Sequence, residues 1–210
     1  MSSKYLSYFL KENTPTYGGI EGTIKFEKER SISNGDTSNN MRFELPGHVG
    51  THIDFPYHFS DDGKKCGDYP ASFWVFNKIG YLKCAINEIE KDIERLSSDI
   101  EILIVRTGFG NKRGFTEYWS SQPVIPSSLA SIIKKKFPNI RVFGFDLISL
   151  TSKLDRIEGK NAHIEFLLKN EILILEDMYL ENLETTPSTI IIAPLQIYDA
   201  DGVPCNVISY

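Results

Sequence analysis

The feature that most constrains the fold is an alternation, beyond residue 80, of short apolar runs with segments of helical pattern. The apolar runs are typical of buried strands and are expected at residues 101–108, 141–146, 172–176 and 189–198. Helices are expected at 126–137, which begins with a proline and serines and ends with lysines, and at 161–170. Strands that alternate with helices indicate a layered α/β domain.

The first 80 residues contain more turn-forming residues and are expected to contribute hairpins, so a mixed sheet is favoured over a purely parallel one. The polar segment 31–40 is predicted to be a loop that leads into a group of histidines. Of the 210 residues, 41% are hydrophobic and 24% are charged, as in ordinary folded proteins. One core is enough for a chain of this length, so residues 1–210 are predicted to form a single domain.

Charge and hydropathy argue against two classes of partner. The net charge is −5, and the basic cluster Lys134–Lys136 is expected on a helix surface, so nucleic acid is not predicted as a partner. No stretch approaches the roughly 18 apolar residues of a membrane span, and the N-terminal segment does not resemble a signal peptide. Cys66, Cys84 and Cys205 are widely spaced and form no CxxC pair, which predicts free thiols. The protein is therefore expected in the cytoplasm.

The segment HVGTHIDFPYHF, residues 48–59, contains three of the four histidines. His48, His52 and Asp54 offer two imidazoles and a carboxylate, which are usual ligands of zinc and also suit manganese or iron. In a straight strand the α-carbons of His48 and His52 would be about 13 Å apart, too far for one ion. In a continuous helix Asp54 would leave the face that the two histidines share. The segment must therefore bend if these side chains bind one ion.

Residues that permit such a bend are present. Gly47 and Gly50 allow unusual backbone angles, the hydroxyl of Thr51 can anchor the chain by a hydrogen bond, and Pro56 fixes the exit. The sequence therefore predicts a sharp change of direction close to the histidines.

A second ion would need ligands from elsewhere in the chain, bridged by the second oxygen of Asp54. The remaining histidine, His163, lies on the predicted helix 161–170, and Glu176 ends the next strand 13 positions later. That strand can pack back against the helix, so a second site formed by Asp54, His163 and Glu176 is sterically reasonable.

His58 lies four residues beyond Asp54, and one place open to it is beside the metal without binding it. There an imidazole can take a proton from a metal-bound water or give one to a leaving group, which is the chemistry of a hydrolase. Two alternatives stay open from the residues alone. The histidines are satisfied by hydrogen bonds on the surface or in the core, or they form a closed structural metal site in which protein ligands fill every position.

HVGTHIDFPYHF closely resembles the signature HxGTHxDxPxHF of the cyclase-like metal-dependent hydrolases, a family that includes bacterial kynurenine formamidase (arylformamidase). The likeness covers nearly the whole chain. The other segments similar to the family are YLSYFLKENTPTYGG, IVRTGFGNKRGFTEYW, GFDLISL, NAHIEFLLKNEILILEDMYLENL and APLQIYDADGVPCNVISY.

The resemblance implies a metal centre. It implies that His48, His52 and Asp54 bind a first divalent ion, zinc or manganese. It further implies that Asp54, His163 and Glu176 bind a second ion where two are present.

The resemblance also implies that His58 is the catalytic acid and base. The implied fold is a swivelling β/β/α domain with a mixed central sheet and flanking helices, in a homodimer or homotetramer whose subunits help to complete each other's sites. The implied reaction is hydrolysis of an amide, formamide, lactam or lactone of a small molecule. N-formylkynurenine is the leading substrate and a lactam such as isatin the next. The rival from another class is a protein that binds a metal or a small molecule without catalysis.

Three departures from the family pattern carry expectations. Phe55 stands where the family commonly has alanine, and a bulky ring beside Asp54 would narrow the pocket. Thr151 occupies the last place of the family's GxDxxSxD segment. One residue more than usual separates His163 from the double leucine, which puts the pairing of His163 with Glu176 in question.

Further residues have two interpretations each. Cys66, beside two lysines, is a nucleophile or, with no histidine left to serve as its base, an ordinary loop thiol. Asp146 at a strand end supports the site or a turn. Five aromatic residues are candidates for the core or for a pocket wall, namely Phe43, Tyr57, Trp74, Tyr118 and Trp119.

Overall fold

A computed structural model describes residues 3–210 of the chain. The strands in this part of the chain are β1 (Lys4–Tyr5), β2 (Lys25–Arg30), β3 (Asn40–Glu44), β4 (His52–Asp54), β5 (Val75–Phe76), β6 (Ile79–Lys83), β7 (Ile102–Arg106), β8 (Val142–Phe145), β9 (Leu173–Glu176), β10 (Ile190–Pro194) and β11 (Gly202–Ser209). The helices are α1 (Ile89–Asp92), α2 (Glu117–Ser120), α3 (Ser128–Lys136) and α4 (Arg156–His163), and α4 continues into a π-helix, Ile164–Lys169. Short 3₁₀ turns lie at Ile32–Asn34, Pro56–His58, Cys66–Asp68, Ala71–Trp74, Ile86–Glu88, Ile93–Arg95 and Phe109–Lys112.

The main sheet has the strand order β5-β10-β11-β4-β9-β8-β7-β6, and β1 also pairs with β11. Strands β6 to β9 are parallel to one another, whereas β4, β10 and β11 pair antiparallel with their neighbours. Strands β2 and β3 form a separate two-stranded hairpin. The mixed sheet and its helices confirm the predicted α/β class.

The core lies around the parallel strands. Residues 102–105 of β7 are fully buried, as expected for a strand covered on both faces. Helix α3 buries Leu129, Ala130 and Ile133, and the rings of Phe143 and Phe166 stack at 5.1 Å between the sheet and the π-helix. Among residues 3–210, no helix is both long and apolar enough to cross a membrane.

Most of the predicted elements are present, with differences at their ends. Strands β7, β8 and β9 and helix α3 lie where the sequence predicts them, and the run at 189–198 is a strand only up to Pro194. The helix predicted at 161–170 begins earlier, at Arg156, because the Asp155 carboxylate caps it by accepting the Glu158 N–H at 2.9 Å. The polar segment 31–40 joins β2 to β3, so it does not lead directly into the histidine segment.

The segment that continues α4, Ile164–Lys169, takes the wide π form. The N–H of Asn170 donates to the carbonyl of Glu165, five residues earlier, at 3.0 Å. A π turn holds one residue more than an α turn of the same rise. A π turn between His163 and the strand that carries Glu176 therefore has room for one residue more than an α turn would.

Candidate metal centre

The histidine segment bends at Gly50, as predicted. This glycine has a φ of 60°, a left-handed conformation that residues with a side chain rarely adopt. The hydroxyl of Thr51 anchors the bend by donating to the Asp177 carbonyl at 2.5 Å. Only residues 52–54 continue as strand β4, and His48 returns to lie beside Asp54, with 2.8 Å between His48 Nδ1 and Asp54 Oδ1.

The alternation of side chains along β4 separates the site from the core. His52 and Asp54 point to one side, and His52 is directly opposite Glu176 on β9. Phe55 is fully buried and contacts the rings of Tyr69 and Trp74. The expectation that Phe55 narrows the pocket is therefore wrong, because its ring packs into the core.

Two buried imidazoles face two buried carboxylates. His52 Nε2 lies 3.2 Å from Glu176 Oε2 and 3.5 Å from Asp54 Oδ1. His163, at the end of α4, has its Nε2 3.5 Å from Asp54 Oδ2 and 3.7 Å from Glu176 Oε1. The six residues His48, His52, Asp54, His58, His163 and Glu176 are called the histidine–carboxylate cluster below.

Backbone carbonyls set the tautomers of the two buried histidines. His52 Nδ1 is 2.8 Å from the Gly50 carbonyl, and His163 Nδ1 is 2.8 Å from the Gly159 carbonyl. A carbonyl oxygen only accepts hydrogen bonds, so each Nδ1 carries a proton and each Nε2 is the nitrogen turned to the carboxylates. His52 Nε2 is buried without a hydrogen-bond partner among the described residues. Once its proton is lost, such a nitrogen can bind a cation that the carboxylates also bind.

The donor atoms are close enough to share cations. Those of His52, Asp54 and Glu176 lie within 4.8 Å of one another, and so do those of His48, Asp54 and His58. Imidazole nitrogens and carboxylate oxygens suit zinc and manganese. The six predicted site residues therefore lie together, although these two groups differ from the predicted triads: Glu176 joins His52 and Asp54, and His58 joins His48 and Asp54.

The electrostatics of the cluster favour charged forms. Burial would raise the pKa of Asp54, but hydrogen bonds from His163 and His48 hold it well below its ordinary value. Burial would lower the pKa of His48, yet the hydrogen bonds to Asp54 and Asp201 raise it to about 9. Burial opposes the charge of His163 in the same way, and its contacts with Asp54 and Glu176 raise its pKa to about 10. The site therefore holds protons that a metal ion would displace.

A cavity of about 280 Å³ opens onto the cluster. Tyr17, Phe59 and Ile148 supply its less polar wall, and the Phe59 ring stacks on His163 at 4.7 Å. His58 lines the cavity with 30% of its side chain exposed. Within residues 3–210, none of the five aromatic residues suggested for the wall lines this cavity. Trp74 and Tyr118 are buried in the core, and Phe43 is on the exposed hairpin. Tyr57 and Trp119 also lie outside the cavity.

Sequence reasoning missed two partners of the cluster. Oδ2 of Asp201 lies 2.9 Å from His48 Nε2 and 2.9 Å from His58 Nδ1. The Leu150 N–H donates to Glu176 Oε1 at 2.5 Å and fixes that carboxylate. Asp201 precedes a glycine, a pair typical of a turn, and the signal that could have drawn attention to it is the family-like segment APLQIYDADGVPCNVISY, which contains it.

Two other candidates have structural roles. The Asp146 carboxylate accepts hydrogen bonds from the Thr107 N–H at 2.8 Å and the Gly108 N–H at 3.0 Å, and so holds the turn after β7. Burial raises the pKa of the Cys66 thiol, which disfavours the reactive thiolate, and Cys66 lies outside the cavity.

Known proteins resemble this chain in sequence and in fold. The profile of the family described as "Putative cyclase" matches residues 5–152. The kynurenine formamidase of Bacillus anthracis is 31% identical over 207 residues, which cover 97% of this chain and 94% of that protein. That of Bacillus cereus is 29% identical over the same shares of both chains.

Solved structures share the fold at lower sequence identity. Isatin hydrolase A from Labrenzia aggregata, bound to benzyl benzoate, superposes with a TM-score of 0.80 at 19% identity, covering 99% of this chain and 93% of its own. A potential metal-dependent hydrolase with cyclase activity superposes with a TM-score of 0.75 at 18% identity, covering 99% of this chain and 98% of its own. The family match over residues 5–152 and the full-length relatives show that the chain belongs to the putative cyclase family.

Proposed function

We propose that the chain is a metal-dependent hydrolase that cleaves the amide carbon–nitrogen bond of a small formamide, with N-formylkynurenine as its substrate. The observation that carries the proposal is the buried Nε2 of His52, which faces carboxylate oxygens of Glu176 and Asp54 at 3.2 and 3.5 Å and makes no hydrogen bond within residues 3–210. A purely structural cluster would hydrogen-bond this nitrogen. Relatives that are kynurenine formamidases, matched over 97% of this chain, support the substrate.

The metal would be held by residues of the cluster. We assign His48, His52 and Asp54 to a first ion, and Asp54, His163 and Glu176 to a second. Zinc or manganese, when bound, supplies a Lewis acid that polarises a carbonyl and lowers the pKa of water. An open position for substrate separates this assignment from a closed structural site, and the cavity in front of the cluster supports it.

His58 moves the proton. Its ring borders the cavity, and Nδ1 is engaged by Asp201 at 2.9 Å, so Nε2 is the nitrogen left to exchange protons with the substrate. His58 takes a proton from the attacking water as the new carbon–oxygen bond forms, and it returns the proton to the leaving nitrogen as the carbon–nitrogen bond breaks. The products are an amine and formic acid, which ionises to formate by releasing a proton to water.

The cavity limits the substrate to a small molecule. Its volume of about 280 Å³ lies at the lower end of ordinary ligand pockets. The rings of Tyr17 and Phe59 provide an apolar wall on which an aromatic substrate can pack. The same wall would also accept a fused aromatic lactam, so isatin is the competing substrate in the test.

The test is an assay of the purified protein with N-formylkynurenine and with isatin. The protein is first stripped of metal with a chelator and then reloaded with zinc or with manganese. We expect kynurenine release that depends on metal and is lost with His52→Ala. Glu165→Gln is the matched control, because this carboxylate pairs with Lys169 at 2.6 Å on the surface of the π-helix.

The outcomes separate the alternatives. Turnover of isatin alone would replace the named substrate. A metal-loaded protein that turns over neither compound would favour a non-catalytic binding protein. A protein that binds neither metal would contradict the proposal altogether.

We also propose that the protein acts as a homodimer. The hairpin of β2 and β3 stands apart from the main sheet, and an isolated two-stranded hairpin is marginally stable in water. Phe43, exposed over 59% of its surface, is paired with Phe26 on this hairpin, and Met41 is exposed on the same face. A second copy would cover this face. Light scattering should show a dimer that Phe43→Ser dissociates and Arg42→Ser, on the opposite face, leaves intact; a wild-type monomer would contradict the proposal.

Two further expectations from the sequence stay predictions. A single domain over residues 1–210 predicts one cooperative unfolding transition that tryptophan fluorescence and circular dichroism report at the same denaturant concentration. A cytoplasmic location is to be tested by fractionation of the source cells.

A further inference from the structure

One carboxylate oxygen connects two histidines of the cluster. Asp201 Oδ2 lies 2.9 Å from His48 Nε2 and 2.9 Å from His58 Nδ1. The Asp201 carboxylate is ionised near neutral pH, as aspartate ordinarily is, and therefore only accepts hydrogen bonds. Each ring therefore donates an N–H to this oxygen. His48 is left with Nδ1 beside Asp54, and His58 is left with Nε2.

The two rings also contact each other. The centroids of His48 and His58 are 4.1 Å apart, with 33° between the ring planes. Because Asp201 accepts a hydrogen bond from each ring, it fixes the position of His58 relative to His48, which is assigned to the first ion. Such a carboxylate–histidine contact sets the tautomer and the orientation of an imidazole.

The backbone around Asp201 is fixed by the sheet. Its carbonyl accepts the Phe55 N–H at 2.9 Å, and the next residue, Gly202, is paired with Asp54 in the register of β4 and β11. A β-carbon on Gly202 would lie 2.2 Å from Cε1 of His48, so only glycine leaves room for the His48 ring there. The Asp201 carboxylate is thus attached to backbone that the sheet holds in place at the start of β11.

We propose that Asp201 is a positioning residue for the proton-transfer step: it holds His58 as the Nδ1–H tautomer and aims Nε2 into the cavity. This inference rests on the proposed hydrolase function. Nε2 of His58 then accepts the proton from water and delivers it to the leaving nitrogen, while Asp201 keeps its negative charge throughout. Asp201 contacts neither substrate nor reacting atoms and acts through His58.

The neighbouring Asp199 offers a matched control. It lies two residues earlier in the same segment, its side chain is 73% exposed, and it pairs with Lys65 at 2.9 Å on the surface. Replacing this residue removes a carboxylate of the same type from the same segment without touching either histidine.

The kinetic test compares Asp201→Ala, Asp201→Asn and Asp199→Ala at saturating metal. We expect Asp201→Ala to lower kcat about 100-fold with KM nearly unchanged and full metal content. Asp201→Asn should recover part of the loss, because the amide oxygen still accepts a ring N–H. Asp199→Ala should match the wild type. In the His58→Ala background, Asp201→Ala should cost nothing further, since a positioning residue has no effect without the group that it positions.

A second readout does not depend on turnover. Nitrogen-15 spectra of the histidine rings, with His58 assigned by comparison with His58→Ala, should show the Nδ1–H tautomer for His58 in the wild type and its loss in Asp201→Ala. An unchanged tautomer, or an equal loss of kcat in both backgrounds, would overturn the role of Asp201. A wild type that hydrolyses no formamide but shows the expected tautomers would contradict the proposed function and leave the arrangement of His58 standing.

Discussion

Glu176 and Asp177 are neighbours in the chain and both are buried, yet their carboxylates lie in clusters of opposite character. Asp177 has a complete set of short hydrogen bonds. Arg113 donates to its two oxygens at 2.8 and 2.7 Å, and the Tyr118 hydroxyl donates at 2.6 Å. Glu176 instead faces His52 Nε2 at 3.2 Å, and that nitrogen makes no hydrogen bond within residues 3–210. Arg113, Tyr118 and Asp177 are called the arginine cluster below.

The difference shows which buried charges are structural. Burial of a charge does not by itself mark a functional site, because the arginine cluster is as buried as the histidine–carboxylate cluster. The distinguishing feature is a buried nitrogen, His52 Nε2, that faces carboxylates without making a hydrogen bond in the described part of the chain. The arginine cluster should therefore act on stability, and the histidine–carboxylate cluster on metal binding and turnover.

The largest effect is expected for His58→Ala. Loss of a general acid and base lowers turnover by about 10²- to 10⁴-fold, while the free energy of unfolding of this partly exposed site should change little. Steady-state kinetics and metal analysis on the same preparation check both statements. Loss of metal in the variant would show that His58 is a metal ligand and would contradict its assignment as the general acid and base.

The next largest effect is expected for Arg113→Ala, which leaves the buried carboxylate of Asp177 without its ion-pair partner. We expect the free energy of unfolding to fall by about 3–5 kcal/mol, measured by urea denaturation. The control is Arg95→Ala, which removes an exposed pair with Asp92 and should cost less than about 1 kcal/mol. If the two variants lose equal stability, the arginine cluster is not the structural one.

Metal binding should stabilise the fold through the histidine–carboxylate cluster alone. Zinc at 100 times its Kd is expected to raise the free energy of unfolding by about 2.7 kcal/mol, because it binds the folded chain. The gain should disappear in Asp54→Asn, because Asp54 is assigned to both ions, and persist in Glu165→Gln, as followed by thermal unfolding with and without zinc. A gain that persists in Asp54→Asn would place the ion elsewhere.

The smallest effect concerns pH in the metal-free protein. Although burial opposes it, contacts with carboxylates raise the folded-state pKa of His48 to about 9 and of His163 to about 10, above the ordinary value of about 6.5. The two charged histidines contribute fully to the free energy of unfolding below pH 6.5, and this contribution is lost as the pH rises through 9 and 10. Urea unfolding in a chelator should show the free energy of unfolding fall by about 2 kcal/mol between pH 6.5 and 7.5.

Two comparisons make this pH prediction specific. The His48→Gln variant should show a shallower fall, because one of the two raised groups is gone. Saturation with zinc should also flatten the profile, since the ion displaces the protons. A wild-type stability that rises over this range in the chelator would contradict the assignment.

Much of the fold is predictable because the parallel strands are continuous apolar runs. Strands β7 and β8 and helix α3 follow from hydrophobic periodicity and from end signals. Strand β11 was not predicted, since Pro204 and the polar Asn206 are unusual in the interior of a sheet. Its long pairing depends on partners far away in the chain, which no local pattern shows.

The site is predictable where residue type alone carries the chemistry. The histidines are few, and a bend at Gly50 was required for His48 and Asp54 to meet. The direction of Phe55 was also within reach, because it follows Asp54 on a strand and must point the other way. Asp201 was not, since its contact with His58 crosses 143 positions and is made by the pairing of β11 with β4.

The wide turn at Ile164–Lys169 has a consequence for how the chain tolerates changes in length. His163 lies before this turn and the strand that ends at Glu176 lies after it, and an α turn holds one residue fewer than a π turn. We therefore expect a one-residue deletion at 164–169 to tighten the helix and to disturb the two candidate ligands less than an insertion there.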